Sequence, residues 1–117
     1  MIPDQWYAVL ESREVKQGKP VGVTRLGEKL VFWRDETGQV ACLQDRCAHR
    51  GAALSAGRVV ENELECPFHG FTYAPTGRVT HIPARGKTAP VPKGFQAPSY
   101  PIREAHDFIW LWWGTSR

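Results

Sequence analysis

Four side chains with metal chemistry stand in two short runs, Cys47-Ala48-His49 and, sixteen residues further on, Cys66-Pro67-Phe68-His69. Thiolate is a soft ligand and imidazole a borderline one, a set that serves zinc and iron alike. Each run mixes the two kinds, and each lies next to a glycine, Gly51 after the first and Gly70 after the second. Whether the four can share one ion or cluster depends on what brings the runs together. Between them, Arg58-Val59-Val60, Glu61-Asn62 and Glu63-Leu64-Glu65 read as strand, turn and strand. A hairpin sends the chain out and back, so this segment predicts two loops side by side with four ligands converging on one point.

The rest of the chain repeats that rhythm of a short β-prone run followed by a turn signal. Trp6 to Leu10 reads as a first strand and Pro20 to Leu26 as a second, and Gly27-Glu28 turns the chain into Lys29 to Arg34. Asp35-Glu36-Thr37-Gly38 turns it again into Gln39 to Leu43, and these apolar runs lack clean alternation, as in strands covered on both faces. A further hairpin is expected from Phe71 to Ile82 around Pro75-Thr76-Gly77, and Tyr100 to Arg103 with Phe108 to Trp113 close the domain. Residues 83–98 hold four of the nine prolines and read as an extended surface connection. No run keeps a helical period over three turns, so the fold class is all-β, an antiparallel sandwich with the two ligand loops at one end.

With 117 residues the chain is one domain, 1–117, whose ligand-bearing part runs from about 45 to 82. Hydrophobic residues make up 42% and charged residues 23%, which excludes a disordered tail, a collagen-like repeat and a coiled coil. The longest strongly apolar run, Phe108 to Trp113, is far shorter than the roughly 20 residues of a spanning helix, so no membrane crossing is expected. A net charge of +3 without a basic stripe argues against nucleic acid and favours, modestly, an acidic protein partner. Three cysteines make no disulfide framework, and Met1 to Gln5 lack the basic start of a signal peptide. Both point to a reducing, cytoplasmic setting.

The order C-x-H then C-x-x-H resembles the Rieske family over about 35 residues around the ligands, and the order of strands and turns agrees with it over most of the chain. The resemblance implies one [2Fe–2S] cluster per chain, with Cys47 and Cys66 on one iron and His49 and His69 on the other, Gly51, Phe68, Gly70 and Tyr73 lying around it. Two ferric ions, two sulfides and two thiolates cancel in charge, so reduction leaves only a single negative charge. Four thiolates would start two charges lower and resist the electron, which is why such clusters reach about −150 to +300 mV while four-Cys plant-type clusters lie near −400 mV.

Departures from the high-potential members narrow the subtype. Those members carry an additional cysteine in each loop, joined as a disulfide, and a serine after the second His-Gly; here the positions are Ala52, Phe68 and Phe71. Tyr73 matches the tyrosine that donates to a cysteine sulfur. Fewer donors stabilise the reduced cluster less, so the implied potential lies at the low end, on the order of −150 mV. The stretch from Cys66 to Arg78, His81-Ile82-Pro83-Ala84 and the aromatic run ending in Trp113-Gly114 look most like the N-terminal domain of ring-hydroxylating and related non-haem iron oxygenases. That implies one-electron transfer, with a reductase or ferredoxin as donor and an oxygenase catalytic domain as acceptor. No D-x-x-H-x-x-x-x-H segment is present, so a catalytic mononuclear iron is not expected, and His81 and His106 read as ordinary histidines.

Two alternatives stay open at this stage: a free-standing ferredoxin that shuttles between a reductase and an oxygenase, and a zinc-stabilised interaction module, since Cys₂His₂ also suits zinc. Cys42 reads as a buried small hydrophobe. Arg46 and Arg50 flank the first loop, either as solvated charges or as a docking site for a redox partner.

Overall fold

Leu30-Val31-Phe32-Trp33 and Val40-Ala41-Cys42-Leu43 are unbroken apolar runs because the strands that carry them have a core on each side. In a computed structural model of the chain, which describes residues 2–47, 52–67, 70–81 and 96–114, these runs lie in β3 (Glu28–Arg34) and β4 (Val40–Gln44). Both pair antiparallel in a sheet of order β2-β3-β4, with β2 spanning Val21–Arg25. Side chains alternate along a strand, so Val31, Trp33, Ala41 and Leu43 enter one core while Leu30, Phe32, Val40 and Cys42 enter the other. The expectation of strands covered on both faces is met by this central sheet.

One core is closed by the second sheet, β1 (Gln5–Glu11), β10 (Phe108–Trp113) and β9 (Ile102–Ala105), in the order β1-β10-β9. Val9, Leu10, Ile109 and Leu111 supply its side of that core. The other core is closed by a four-stranded meander, β5 (Arg58–Val60), β6 (Glu63–Glu65), β7 (Thr72–Tyr73) and β8 (Val79–His81). Leu64, Phe71, Tyr73 and Val79 face the central sheet from it. The hairpins expected at 58–65 and around 75–77 are therefore both present. Among the described residues helix is confined to two single 3-10 turns, Ser12–Glu14 and Leu54–Ala56.

Strand ends differ from the sequence reading by one or two residues (β9 is Ile102–Ala105 against the expected Tyr100 to Arg103), and two differences have a clear physical reason. The turn between β2 and β3 is Leu26-Gly27, one residue earlier than Gly27-Glu28, with both residues in the left-handed region (φ 55° and 76°). A tight hairpin turn of the primed type needs two successive positive φ values, and Leu26 accepts one while its side chain packs against the apolar core. Most of the connection at 83–98 lies outside the described residues, but its end is not a surface segment throughout. Ala97 is only 3% exposed, its N–H donates to the carbonyl of Gly77 at 2.8 Å, and Ser99 bridges to Leu43 of β4.

Candidate metal centre

Two loops leave the meander side of the molecule, and both begin with a cysteine. The first follows β4, and the N–H of Cys47 donates to the carbonyl of Ala52 at 2.7 Å. The second follows β6, and the N–H of Cys66 donates to the carbonyl of Phe71 at 2.6 Å. Each loop is thus closed by the same bond, from the cysteine amide to the carbonyl five residues on. Behind the second loop the β6–β7 ladder continues directly, pairing Glu65 with Thr72 and Leu64 with Tyr73. Gly70 has φ 66°, which a residue without a Cβ reaches at no steric cost, and it delivers the chain to Phe71 for the closing bond. The 58–65 hairpin lies between the loops, as its sequence position requires. His49, Arg50, Gly51, Phe68 and His69 lie outside the described residues.

Cys47 and Cys66 are each 2% exposed, pack into the same core and are not joined as a disulfide. Two buried thiols from two loops, unbonded to each other, are a suitable donor pair for a metal group, and each loop carries a histidine in its sequence. Tyr73 is fully buried, and its Oη lies 3.2 Å from Cys47 Sγ. With Cys47 as a thiolate, the hydroxyl donates to it, and a bond to a charged acceptor is stronger than a neutral one. Trp33 closes the floor of this core, fully buried, with its indole N–H donating to the carbonyl of Asn62 at the tip of the 58–65 hairpin.

The remaining candidates are placed apart from this pair. Cys42 lies in the opposite core at 1% exposure, where burial pushes its thiol well above the ordinary range and keeps it protonated. His81 is half-buried on β8, His106 is exposed in the β9–β10 turn with φ 56°, and Arg46 is exposed. Asp45 and Ser55 escaped the sequence reading altogether. The Asp45 carboxylate accepts from both the N–H and the hydroxyl of Ser55, at 2.7 and 2.6 Å, across the mouth of the first loop. A short acidic side chain before a loop and a serine at the turn after it are the only signal in the sequence, and that pattern is common.

Residues 5–101 match the family of Rieske [2Fe–2S] domains. The chain belongs to that family. As a Rieske domain it binds a [2Fe–2S] cluster, which corresponds to the two-thiol arrangement above. Among its relatives are the oxygenase component of chloroacetanilide N-alkylformylase from Rhizorhabdus wittichii, 38% identical over 97% of this chain and 31% of the relative, and aminopyrrolnitrin oxygenase PrnD from Pseudomonas fluorescens, 34% identical over 94% of this chain and 31% of the relative. Among solved structures, dicamba monooxygenase superposes with a TM-score of 0.89 at 34% identity, covering 98% of this chain and 36% of that one. The Rieske chain therefore spans about a third of these relatives. The all-β class and the oxygenase-type subtype expected from the sequence agree with these similarities, and a Rieske domain in this family serves electron transfer with a redox partner. No helix among the described residues is long and apolar enough to cross a membrane.

Proposed function

We propose that this Rieske chain is the electron-entry portion of a non-haem iron oxygenase system, with Cys47 and Cys66 on one iron and His49 and His69 on the other. Residues from about 45 to 82 are the cluster-binding part of a single domain, with Gly51, Phe68, Gly70 and Tyr73 as cofactor-binding residues and Tyr73 donating to Cys47. The observation that carries the reading is the pair of buried cysteines, each opening a loop closed by the same five-residue amide bond, with the Tyr73 hydroxyl 3.2 Å from one sulfur. When bound, the cluster supplies a one-electron acceptor and donor. The chain's own residues do the rest: the two cysteines anchor it from the buried side, the closing bonds hold the loop mouths, and Tyr73 places a donor against negative charge. Several of its relatives are oxygenases or oxygenase components, which supports an oxygenase catalytic domain as acceptor and a reductase or ferredoxin as donor. Buried cysteines that are not joined as a disulfide support a reducing, cytoplasmic setting.

Phe71 and Phe68 bring no hydroxyl or thiol to the loops, which supports a midpoint on the order of −150 mV. Replacing His49 or His69 by Ala removes a ligand from the same iron, and each variant is expected to lose the cluster. A normal Rieske visible spectrum in either variant counts against the ligand set. Entry domain and free carrier are separated by kinetics with purified components. Rapid reduction by a flavin reductase followed by reoxidation by a separate oxygenase at catalytic rates marks a carrier; the entry-domain reading predicts productive transfer only to a catalytic domain held in complex with the chain.

A further inference from the structure

The mouths of the two ligand loops are held differently. Behind the Cys66–Phe71 bond stands a strand ladder, β6 on β7. Among the described residues no strand ladder joins the two sides of the loop behind the Cys47–Ala52 bond. β4, which leads into that loop, pairs with β3 on one edge and with the segment around Ser99 on the other, while the chain leaving the loop forms the 3-10 turn Leu54–Ala56. A side-chain bridge stands in place of the ladder. Asp45 accepts through Oδ1 from the Ser55 N–H and through Oδ2 from the Ser55 hydroxyl, while its own N–H donates to the carbonyl of Lys29 on β3 at 2.9 Å. Leu54, fully buried, fixes the turn that presents Ser55.

A second observation points to the same pair. Gly22 lies inside β2, where a residue with no side chain to pack weakens a strand. Its φ is outside the left-handed region, so conformation does not call for glycine. Space does: a Cβ on Gly22 would stand 2.5 Å from Ser55 Oγ and 2.9 Å from Asp45 Oδ2. The strand gives up a side chain to make room for the bridge.

We infer that Asp45 and Ser55 are positioning residues for the Cys47 loop, a clip that fixes the conformation in which this loop presents its ligands and thereby sets the cluster's potential and its retention. The inference rests on the ligand set proposed above. Ser55→Ala and Gly22→Ala test it without changing any charge, the first by removing one of the two hydrogen bonds and the second by pushing on the clip from outside. In the 117-residue chain loaded with its cluster, each is expected to shift the midpoint and the line shape of the reduced signal in electron paramagnetic resonance. Each is also expected to speed iron loss to a ferrous chelator by about threefold to tenfold, the worth of one hydrogen bond, and the double variant is expected to fall short of the product of the two single effects. Variants that keep the parent's midpoint, line shape and iron-release rate overturn the inference, whatever their melting temperatures. Should Gly22→Ala not fold, Ser55→Ala, which deletes one oxygen, decides alone. A parent chain that takes up zinc and no iron overturns instead the reading on which the inference stands, and the inference with it.

Discussion

Tyr73 is the residue where burial and hydrogen bonding meet the proposed cluster site. Its ring fills the core and its hydroxyl reaches Cys47 Sγ, so removing the oxygen alone isolates the donor. Tyr73→Phe is expected to retain the fold and the cluster while lowering the midpoint. A hydrogen bond of about 1 kcal/mol corresponds to roughly 40 mV for a one-electron couple, and a redox titration of the variant beside the parent reads it. An unchanged midpoint would make Tyr73 a packing residue only. At this scale a Cys/His set at fixed spacing points to the ligands; the structure brings Cys47 and Cys66 into one core, while His49 and His69 lie outside the described residues. The sequence also sorted Cys42 from Cys47 and Cys66, since an isolated cysteine in a β-prone run has nothing to ligate with. It was silent on Asp45 and Ser55, because a carboxylate–hydroxyl bond across ten residues leaves no periodic trace.

At the scale of elements, β3 connects the fold to the site. Trp33 packs the core that holds both cysteines and bonds the tip of the hairpin that sets the loops side by side. Trp33→Ala is expected to cost about 3–5 kcal/mol, and Trp33→Phe less, with Asn62 losing its donor; urea unfolding measures both. The turn at Gly77 is a second such point. Its φ is 89°, and a Cβ there would stand 2.0 Å from the carbonyl oxygen of Ala97. Gly77→Ala therefore forces strained backbone and a displaced neighbour together, and a loss of at least about 1–3 kcal/mol is expected; a variant as stable as the parent contradicts the close approach. The strands were legible because uninterrupted apolar runs and turn residues are local signals. The position of the Leu26-Gly27 turn was not, since a leucine at positive φ is chosen by its packing against the core rather than by its own preference. Nor was the burial of Ala97, which depends on a partner twenty residues away in the chain.

Across the whole molecule, Arg34 ties the central sheet to the β1-β10-β9 sheet. Its guanidinium uses all five donors, on the carbonyls of Ser12, Val15 and Gly38 and on both carboxylate oxygens of Glu104 at 2.9 and 2.8 Å. Hydrogen bonding to Arg34 holds the Glu104 carboxyl below its ordinary range and raises Arg34. Because the folded value of Glu104 is the lower one, its contribution is fully present above the unfolded carboxylate value, about pH 4.3, and is lost as the pH falls through the folded value. Partial exposure and solvent screening limit it to about 1 kcal/mol. Glu104→Gln is expected to be less stable than the parent at pH 7 by that amount, the gap closing as both are acidified; a gap independent of pH would assign the contact to packing. The three-layer arrangement itself was only partly foreseen, since a sandwich with one doubly covered sheet follows from the runs in β3 and β4, while the order β1-β10-β9 joins the two ends of the chain. What the layers hold in place is a cluster, and the decisive experiment is its redox titration followed by electron paramagnetic resonance. Reduction is expected to give a signal that integrates to one spin per chain and titrates as a single electron on the order of −150 mV. A silent, zinc-loaded protein, or a midpoint well above zero, would contradict that expectation.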